Sequence, residues 1–200
     1  MKVNEQTKDA IIRIARIMWE RRLSDVAGGN ISIRGSDGNI CITPKLMGFR
    51  FQWQIDRSHI SVLDPDGNIL EGSEGVSREV HMHVGCYKAF PEANAIIHAH
   101  PYWTNVFVAK PKVIVPALET TRKFGTIDMI EAAHGYSQEL ADKVIAHFAE
   151  KKDQWAKSPL EVILPFHGIV AMGRDMNACL DIVDRIETEC RCQILGKLLD

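Results

Sequence analysis

The stretch Ala95-Ile96-Ile97-His98-Ala99-His100-Pro101 sets a short apolar run against a proline and places two histidines one residue apart at its end. Read as a strand, the run has a side-chain period of two, so His98 and His100 leave the backbone on the same face. Two imidazoles on one face can fill two positions on a single transition metal, and zinc suits imidazole donors well. A third ligand then has to come from elsewhere in the chain. Eight histidines among 200 residues make one close pair unremarkable, and chance core or surface placement accounts for it equally well. The rest of the chain has to decide between them.

Upstream, Asn4 to Arg22 carries Ile11, Ile14, Ala15 and Met18 at the spacing of an amphipathic helix, which Ser24–Gly29 ends. Asn30–Arg34 and Ile40–Thr43 alternate around the turn Ser36-Asp-Gly-Asn39, a β-hairpin pattern. His59–Leu63 and Asn68–Leu70 repeat it around Asp64-Pro-Asp-Gly67. Glu71–Gly75 reads as a Gly-rich loop, and Ser77 as the N-cap of a helix ending near Phe90-Pro91.

Downstream, a short helix follows Pro101, and Lys112–Val115 reads as a strand. Tyr136-Ser137 opens a helix running to about Glu150. Glu161–Leu164 and Ile169–Met172 are apolar strands joined by the tight loop Pro165-Phe-His-Gly168. Asp175 caps a last helix with the stripe Cys179, Ile182, Val183, Ile186, Cys190 and Ile194. Its acids come early and Arg191 and Lys197 late, as the helix dipole favours. Hairpins mixed with crossing helices predict an α/β layered fold with a largely antiparallel central sheet. Residues 1–200 form one domain on this reading, without repeat, linker or low-complexity segment.

Composition narrows the function. With 46% hydrophobic and 25% charged residues the chain reads as soluble and globular. A net charge of −2 and the lack of a dense Lys/Arg stripe exclude a nucleic-acid footprint. The polar Met1–Asp9 segment is no secretory signal, and no apolar run is long enough to cross a bilayer. Cys41, Cys86, Cys179, Cys190 and Cys192 lack zinc-ribbon spacing, and their odd number suits a reduced compartment. Each reads best as a small buried apolar residue. These features predict a cytoplasmic protein.

Further candidates lie around the histidine pair. Glu79 falls two residues after Ser77, where a helix N-terminus favours the carboxylate anion. That suits a metal ligand or a general base, although a surface glutamate satisfying the dipole explains it as well. His83, at i+4, faces the same way and is expected to orient Glu79 rather than to ligate. His81 points elsewhere. His167 sits in the Pro-Phe-His-Gly loop, and loops on rigid scaffolds often carry functional side chains. His59, His134 and His147 read as structural or solvent-facing. Three imidazoles with a carboxylate nearby make a catalytic zinc site in which one position can be vacated for substrate.

An ordered set of motifs runs through most of the chain: Gly29-Asn30-Ile-Ser-Ile-Arg34, Ile42-Thr43-Pro44, Ser58-His59-Ile60, Ser77-Arg78-Glu79, His98-Ala-His100 and His167-Gly168. In this order and spacing the chain resembles the class II aldolase/adducin family. The resemblance implies a three-layer α/β/α domain. It implies that His98, His100 and His167 hold a zinc ion, with another divalent metal as the alternative, and that Glu79 is an acid/base that also touches the resting metal. It further implies a homotetramer with active sites between subunits, Glu119–Phe124 being a segment that reaches a neighbouring site.

The implied reaction is the retro-aldol cleavage of a ketose phosphate or similar polyhydroxy ketone through a metal-stabilised enediolate. Its alternatives are decarboxylation of a small hydroxy or keto acid, 4-epimerisation, and a non-catalytic adducin-like interaction module. Family phosphate-binding positions fall on Gly29-Asn30, Lys45-Leu46 and Ser77-Arg78. The first is intact. At the other two, the cations Lys45 and Arg78 replace small or hydroxyl-bearing residues and suit a phosphate or a carboxylate. Glu119-Thr120 stands where such aldolases carry a tyrosine, and no tail follows the last helix. The expected partner is a small anionic sugar or acid, with neither nucleic acid nor membrane involved.

Overall fold

The computed structural model describes residues 3–72 and 74–199. Met1 and Lys2 of the polar N-terminal stretch, and Ser73 of the Glu71–Gly75 loop, lie outside them. The helices are α1 (Val3–Glu20), α2 (Met47–Phe51), α3 (Val80–Ala89), α4 (Thr104–Ala109), α5 (Glu119–Arg122), α6 (Gln138–Glu150), α7 (Lys152–Trp155) and α8 (Met176–Gly196). The strands are β1 (Asn30–Arg34), β2 (Ile40–Ile42), β3 (Ser61–Leu63), β4 (Ile69–Glu71), β5 (Ala95–Ala99), β6 (Leu160–Leu164) and β7 (Gly168–Gly173). Among the described residues they form one sheet in the order β4-β3-β2-β1-β5-β7-β6, antiparallel at each pairing.

Alternation along the strands builds two cores. Ile31, Ala95, Ile97, Ala99, Ile169 and Ala171 face the stripe of α1 and α8. On the other face Ile40, Ile42, Ile96, Val162 and Val170 pack with α3 and α6. The α/β/α layering and the antiparallel sheet are therefore as expected. Both hairpins form, with the register Ser32↔Ile42 in the first. Ser137 caps α6 by accepting from the Leu140 N–H at 3.1 Å.

Cys41, Cys86, Cys179 and Cys190 are buried as read, but Cys192 is exposed, because it falls off the buried stripe of α8. Three further local readings are corrected. Lys112–Val115 is not a strand: Ile114 makes one antiparallel bridge, to Ile127, and stops there. Pro111 and Pro116 bracket the segment, and neither has an N–H to extend a ladder. Helix α3 begins at Val80, so Glu79 occupies the N-cap position rather than the first turn, and Ser77 Oγ accepts from the Glu79 N–H at 3.3 Å. Asp175 does cap α8, accepting from the Ala178 N–H at 3.0 Å, but neither terminal turn carries the expected charge.

The acids of α8 act elsewhere. Buried Glu187 accepts from the backbone N–H groups of Trp103 and Thr104 and from the Thr104 hydroxyl, each at 2.8 Å. It thereby holds the chain just beyond His100. Glu189 likewise accepts from the N–H groups of Ala117 at 2.9 Å and Leu118 at 3.0 Å, where the chain enters α5. Both are backbone donors that a helix start leaves without an internal partner.

Candidate metal centre

His98 lies opposite Asn30 of β1 and Val170 of β7, and His100 stands one residue past the end of β5. His167 rises from the loop between β6 and β7, where Phe166 holds a φ of 62° and the His167 N–H donates to the Leu164 carbonyl at 3.0 Å. The rings meet with centroid separations of 4.9 Å for His98–His100, 4.7 Å for His98–His167 and 5.4 Å for His100–His167. One ring nitrogen from each lies within 4.8 Å of the others, and the Nε2 atoms of His98 and His100 are 3.0 Å apart. Nitrogens bound at tetrahedral zinc stand roughly 3.3 Å apart, so modest ring rotations turn this cluster into a metal seat. These three histidines could hold a metal ion, as the sequence predicted.

Second partners fix the rings. His98 Nδ1–H donates to the Ile169 carbonyl at 3.0 Å, which leaves the Nε2 lone pair facing the centre. Burial, followed by the neighbouring His100 and His167, holds the His98 pKa well below its ordinary value. Burial is also the main reason that His167 is lowered to about 4, with His100, Arg78 and His134 adding to it. Neutral imidazole is the form that binds metal. Asp25 Oδ1 lies 3.5 Å from His100 Nδ1 and accepts from the Ala27 N–H at 2.9 Å and the Gly28 N–H at 3.3 Å. Burial pushes this carboxyl up, but His100 and the two amides together bring it below the usual range.

Glu79 closes the cluster. Its carboxylate oxygens lie 3.6 Å from His98 Nε2 and 3.4 Å from His167 Nε2. The side chain is buried, and neither oxygen has a hydrogen-bond partner. Burial lifts its pKa to about 7, against the opposing pull of the Asn30 amide, His100 and Arg78. A buried carboxylate with two unsatisfied oxygens beside converging imidazole nitrogens is what a cation completes. The donor set fits a divalent metal.

Of the predicted anion-binding residues, Gly29, Asn30, Ser77 and Arg78 line a narrow cavity of about 30 Å³ over Glu79. Gly29 has a φ of +99°, and a Cβ there would stand 2.5 Å from Ser24 Oγ and 2.7 Å from Trp53 Cζ2, so no larger residue fits. Lys45 is not brought to the cavity. Leu46, at a φ of 57°, turns the chain and lines the wall, while the exposed Lys45 side chain lies along Gly75. The His83 ring does not bond the Glu79 carboxylate, contrary to expectation; only its backbone N–H reaches the Glu79 carbonyl, at 3.3 Å. The ring bonds Asn30 Oδ1 at 2.5 Å and Ser32 Oγ at 2.6 Å. His81 and His134 are exposed, His147 is half-buried on α6, and His59 Nδ1 accepts from the Asp56 N–H at 3.0 Å, closing a capping box.

Two site residues escaped the sequence reading. Asp25 left a faint signal, an aspartate two and three residues ahead of the amides it accepts from, before Gly28-Gly29. Tyr136 left none beyond a helix start. Its ring lies 6.1 Å from that of His167, its hydroxyl accepts from Arg78 at 2.7 Å, and the guanidinium carbon lies 3.8 Å over its centroid. Tyr136 does this at a φ of 68°, unusual for a residue with a side chain.

Comparison with known proteins agrees with this geometry. The sequence profile of the Class II Aldolase and Adducin N-terminal domain matches residues 9–194. The chain is 31% identical over 170 residues to an L-fuculose phosphate aldolase of Methanococcus maripaludis, covering 82% of this chain and 83% of that one. It is 26% identical over 189 residues to a 3-oxo-tetronate 4-phosphate decarboxylase of Haemophilus influenzae, covering 90% and 83%. A solved L-fuculose 1-phosphate aldolase superposes with a TM-score of 0.81 at 26% identity, over 97% of this chain and 87% of the other.

Proposed function

From the premise that the chain belongs to the class II aldolase/adducin family, we propose that it is a zinc-dependent lyase that cleaves a ketose phosphate by a retro-aldol reaction. His98, His100 and His167 hold the ion, and Glu79 is the acid/base. The observation that carries this reading is Glu79 itself: buried, without a hydrogen-bond partner, and within 3.6 Å of two of the histidines. A purely structural zinc site has no use for a carboxylate held this way. An interaction module has no use for any of the four residues.

A divalent ion in this seat supplies Lewis acidity at the ketone oxygen, where negative charge gathers as the carbon–carbon bond breaks. This chain does the rest. Cleavage releases an aldehyde as the hydroxyl on the departing carbon gives up its proton, and it requires a proton on the carbon that stays beside the ketone. Glu79, whose carboxylate stands beside the His98 and His167 nitrogens, takes the first proton and gives the second. The Ile169 carbonyl and the Asp25 carboxylate orient His98 and His100. Arg78, stacked on Tyr136 at the cavity wall, seats the anionic end of the substrate together with Gly29, Asn30 and Ser77.

A second reading, decarboxylation of a small keto acid, uses the same proton from Glu79. It is favoured by the Arg78 guanidinium, which forks a carboxylate as readily as a phosphate, and by the decarboxylase relative. We also place the protein in the cytoplasm, where its free cysteines stay reduced. We assign it a homotetramer with sites between subunits, in keeping with the exposed Phe166 next to His167 and the exposed Phe49 and Leu46 near the cavity.

The test pairs metal analysis with a substrate panel. The purified chain is expected to carry about one zinc, and the His98→Ala variant to lose it. Ketose 1-phosphates, pentulose 5-phosphates and hydroxy or keto acids are assayed separately for aldehyde and for carbon dioxide. Aldehyde from a ketose phosphate supports the lyase, and carbon dioxide moves the assignment to the decarboxylase. Unchanged zinc in His98→Ala, or no product from any compound, overturns it.

A further inference from the structure

Beneath the metal centre runs a buried polar chain that the proposed chemistry leaves unused. Tyr87, Ser32 and His83 are all buried, as is Asn30 at the cavity. Tyr87 Oη lies 2.8 Å from Ser32 Oγ, Ser32 Oγ 2.6 Å from His83 Nδ1, and His83 Nε2 2.5 Å from Asn30 Oδ1. Two periodicities create it. Glu79, His83 and Tyr87 recur every four residues and climb one face of the α3 segment in steps of about 6 Å. Asn30 and Ser32 alternate along β1 in steps of about 6.7 Å. The near match lets His83 bridge two consecutive inward-facing residues of the strand, with Asn30 directly opposite His98.

Two proton directions fit these heavy-atom spacings. In the first, Tyr87 O–H donates to Ser32, Ser32 O–H donates to His83 Nδ1, and His83 Nε2–H donates to Asn30 Oδ1. Each relay proton, from Tyr87 to His83, has an acceptor, and the Asn30 NH₂ is turned to the cavity that Glu79 also lines, without a hydrogen bond to its carboxylate. In the reverse direction the Tyr87 proton has no acceptor among the described residues. The Asn30 carbonyl oxygen then faces the Glu79 carboxylate, acceptor against acceptor. A buried hydroxyl left without an acceptor carries its full desolvation cost, so the first direction prevails. Burial also keeps His83 neutral, with its pKa lowered to about 3, so it has one N–H to place.

We infer that His83 is a positioning residue: held as the Nε2–H tautomer by the Tyr87–Ser32 pair, it locks Asn30 with the amide NH₂ aimed at Glu79 and at the substrate oxygens that develop negative charge. The catalytic consequence rests on Glu79 being the acid/base, whereas the orientation of the chain does not. A donor fixed before reaction is worth more than one that must turn during it. Without His83 the Asn30 amide is free to rotate by half a turn and present its oxygen instead.

The experiment begins with the unaltered protein. Two-bond proton–nitrogen correlation spectra of the ¹⁵N-labelled, zinc-loaded chain are expected to show His83 protonated at Nε2 and bare at Nδ1. A Nδ1–H tautomer or an imidazolium at pH 7 overturns the inference. Ser32→Ala, which removes the donor to Nδ1, is expected to release the tautomer, and an unchanged spectrum in that variant also overturns it. Kinetics supply a second readout, with dihydroxyacetone phosphate as the probe and exchange of its carbon-bound proton with solvent deuterium as the rate. His83→Leu is expected to lower the exchange kcat roughly 10–100-fold with zinc content kept. His83→Gln, whose amide can donate to Asn30 and accept from Ser32, is expected to restore most of it. Equal loss in both variants, or a change confined to KM, counts against a positioning role. If the unaltered chain exchanges no proton, the lyase reading has failed, while the tautomer measurement still decides the orientation of the relay.

Discussion

Adding one methyl group at Gly28 tests the centre without touching a ligand. Gly28 is not in the left-handed region, so alanine is permitted there by the backbone. The obstacle is His100: a Cβ at residue 28 would stand 2.2 Å from its Cε1, 2.8 Å from its Nε2 and 3.0 Å from its Nδ1. Carbon atoms settle at about 3.5–4.0 Å, so the ring has to retreat by about 1 Å or more. Metal–ligand bond lengths vary by only about 0.2 Å, so a ring pushed back that far loses its hold on the ion. The Asp25 contact to Nδ1, 3.5 Å long, lies in the same small space and gives way with the ring.

Gly28→Ala is therefore expected to weaken zinc binding roughly 10–100-fold or more. Chelator competition at fixed total zinc measures it directly. Gly196→Ala is the control, because a Cβ there meets nothing within 4 Å. The control is expected to bind zinc as the unaltered chain does. A Gly28→Ala variant that keeps its full zinc affinity would refute the placement of His100 against that backbone, and with it the three-histidine seat.

Other perturbations read other parts of the site. Glu79→Gln keeps the shape and removes the proton carrier, so kcat is expected to fall by roughly 10²–10⁴; a variant within threefold or so of the unaltered rate would clear Glu79 of the role. Tyr136→Phe deletes the 2.7 Å bond from Arg78 but keeps the ring, and should raise KM for an anionic substrate by roughly 3–10-fold with kcat little changed. A kcat effect with constant KM would contradict the anion seat. His83, lowered by burial from 6.5 to about 3, gives an acid signature. Between these values the unfolded chain holds a proton that the folded chain refuses, so its contribution to stability, intact above pH 6.5, is lost as pH falls toward 3. The slope is about 1.4 kcal/mol per pH unit. Urea midpoints of the metal-free chain should fall more steeply with acid than those of His83→Gln, and parallel curves would sink the assignment.

Much of the architecture was legible from local pattern. The two hairpins, α1, α3, α6, α8 and the apolar strands announced themselves by periods of two and 3.6, and Ser137 and Asp175 cap where their spacing placed them. Where local pattern misled, contacts made in three dimensions overrode it. Lys112–Val115 has strand-like composition, but bordering prolines and the lack of a second partner reduce it to one bridge. Leu46, at a left-handed φ that no composition rule marks, lines the cavity while Lys45 lies along Gly75. The acids of α8 looked like dipole partners and are clamps on distant backbone amides.

From the order of its residues alone, the chain declared an antiparallel α/β layer, a histidine pair on one strand face, and the glutamate and third histidine to look for. Side-chain period and turn chemistry act over a few residues, so they survive in linear form. Asp25 behind His100, Tyr136 beneath Arg78, and the relay from Tyr87 to Asn30 became visible only in three dimensions. Each joins residues dozens of positions apart, or aims a side chain through an unusual φ, and which groups then meet is decided by how strands and helices pack, not by their spacing along the chain.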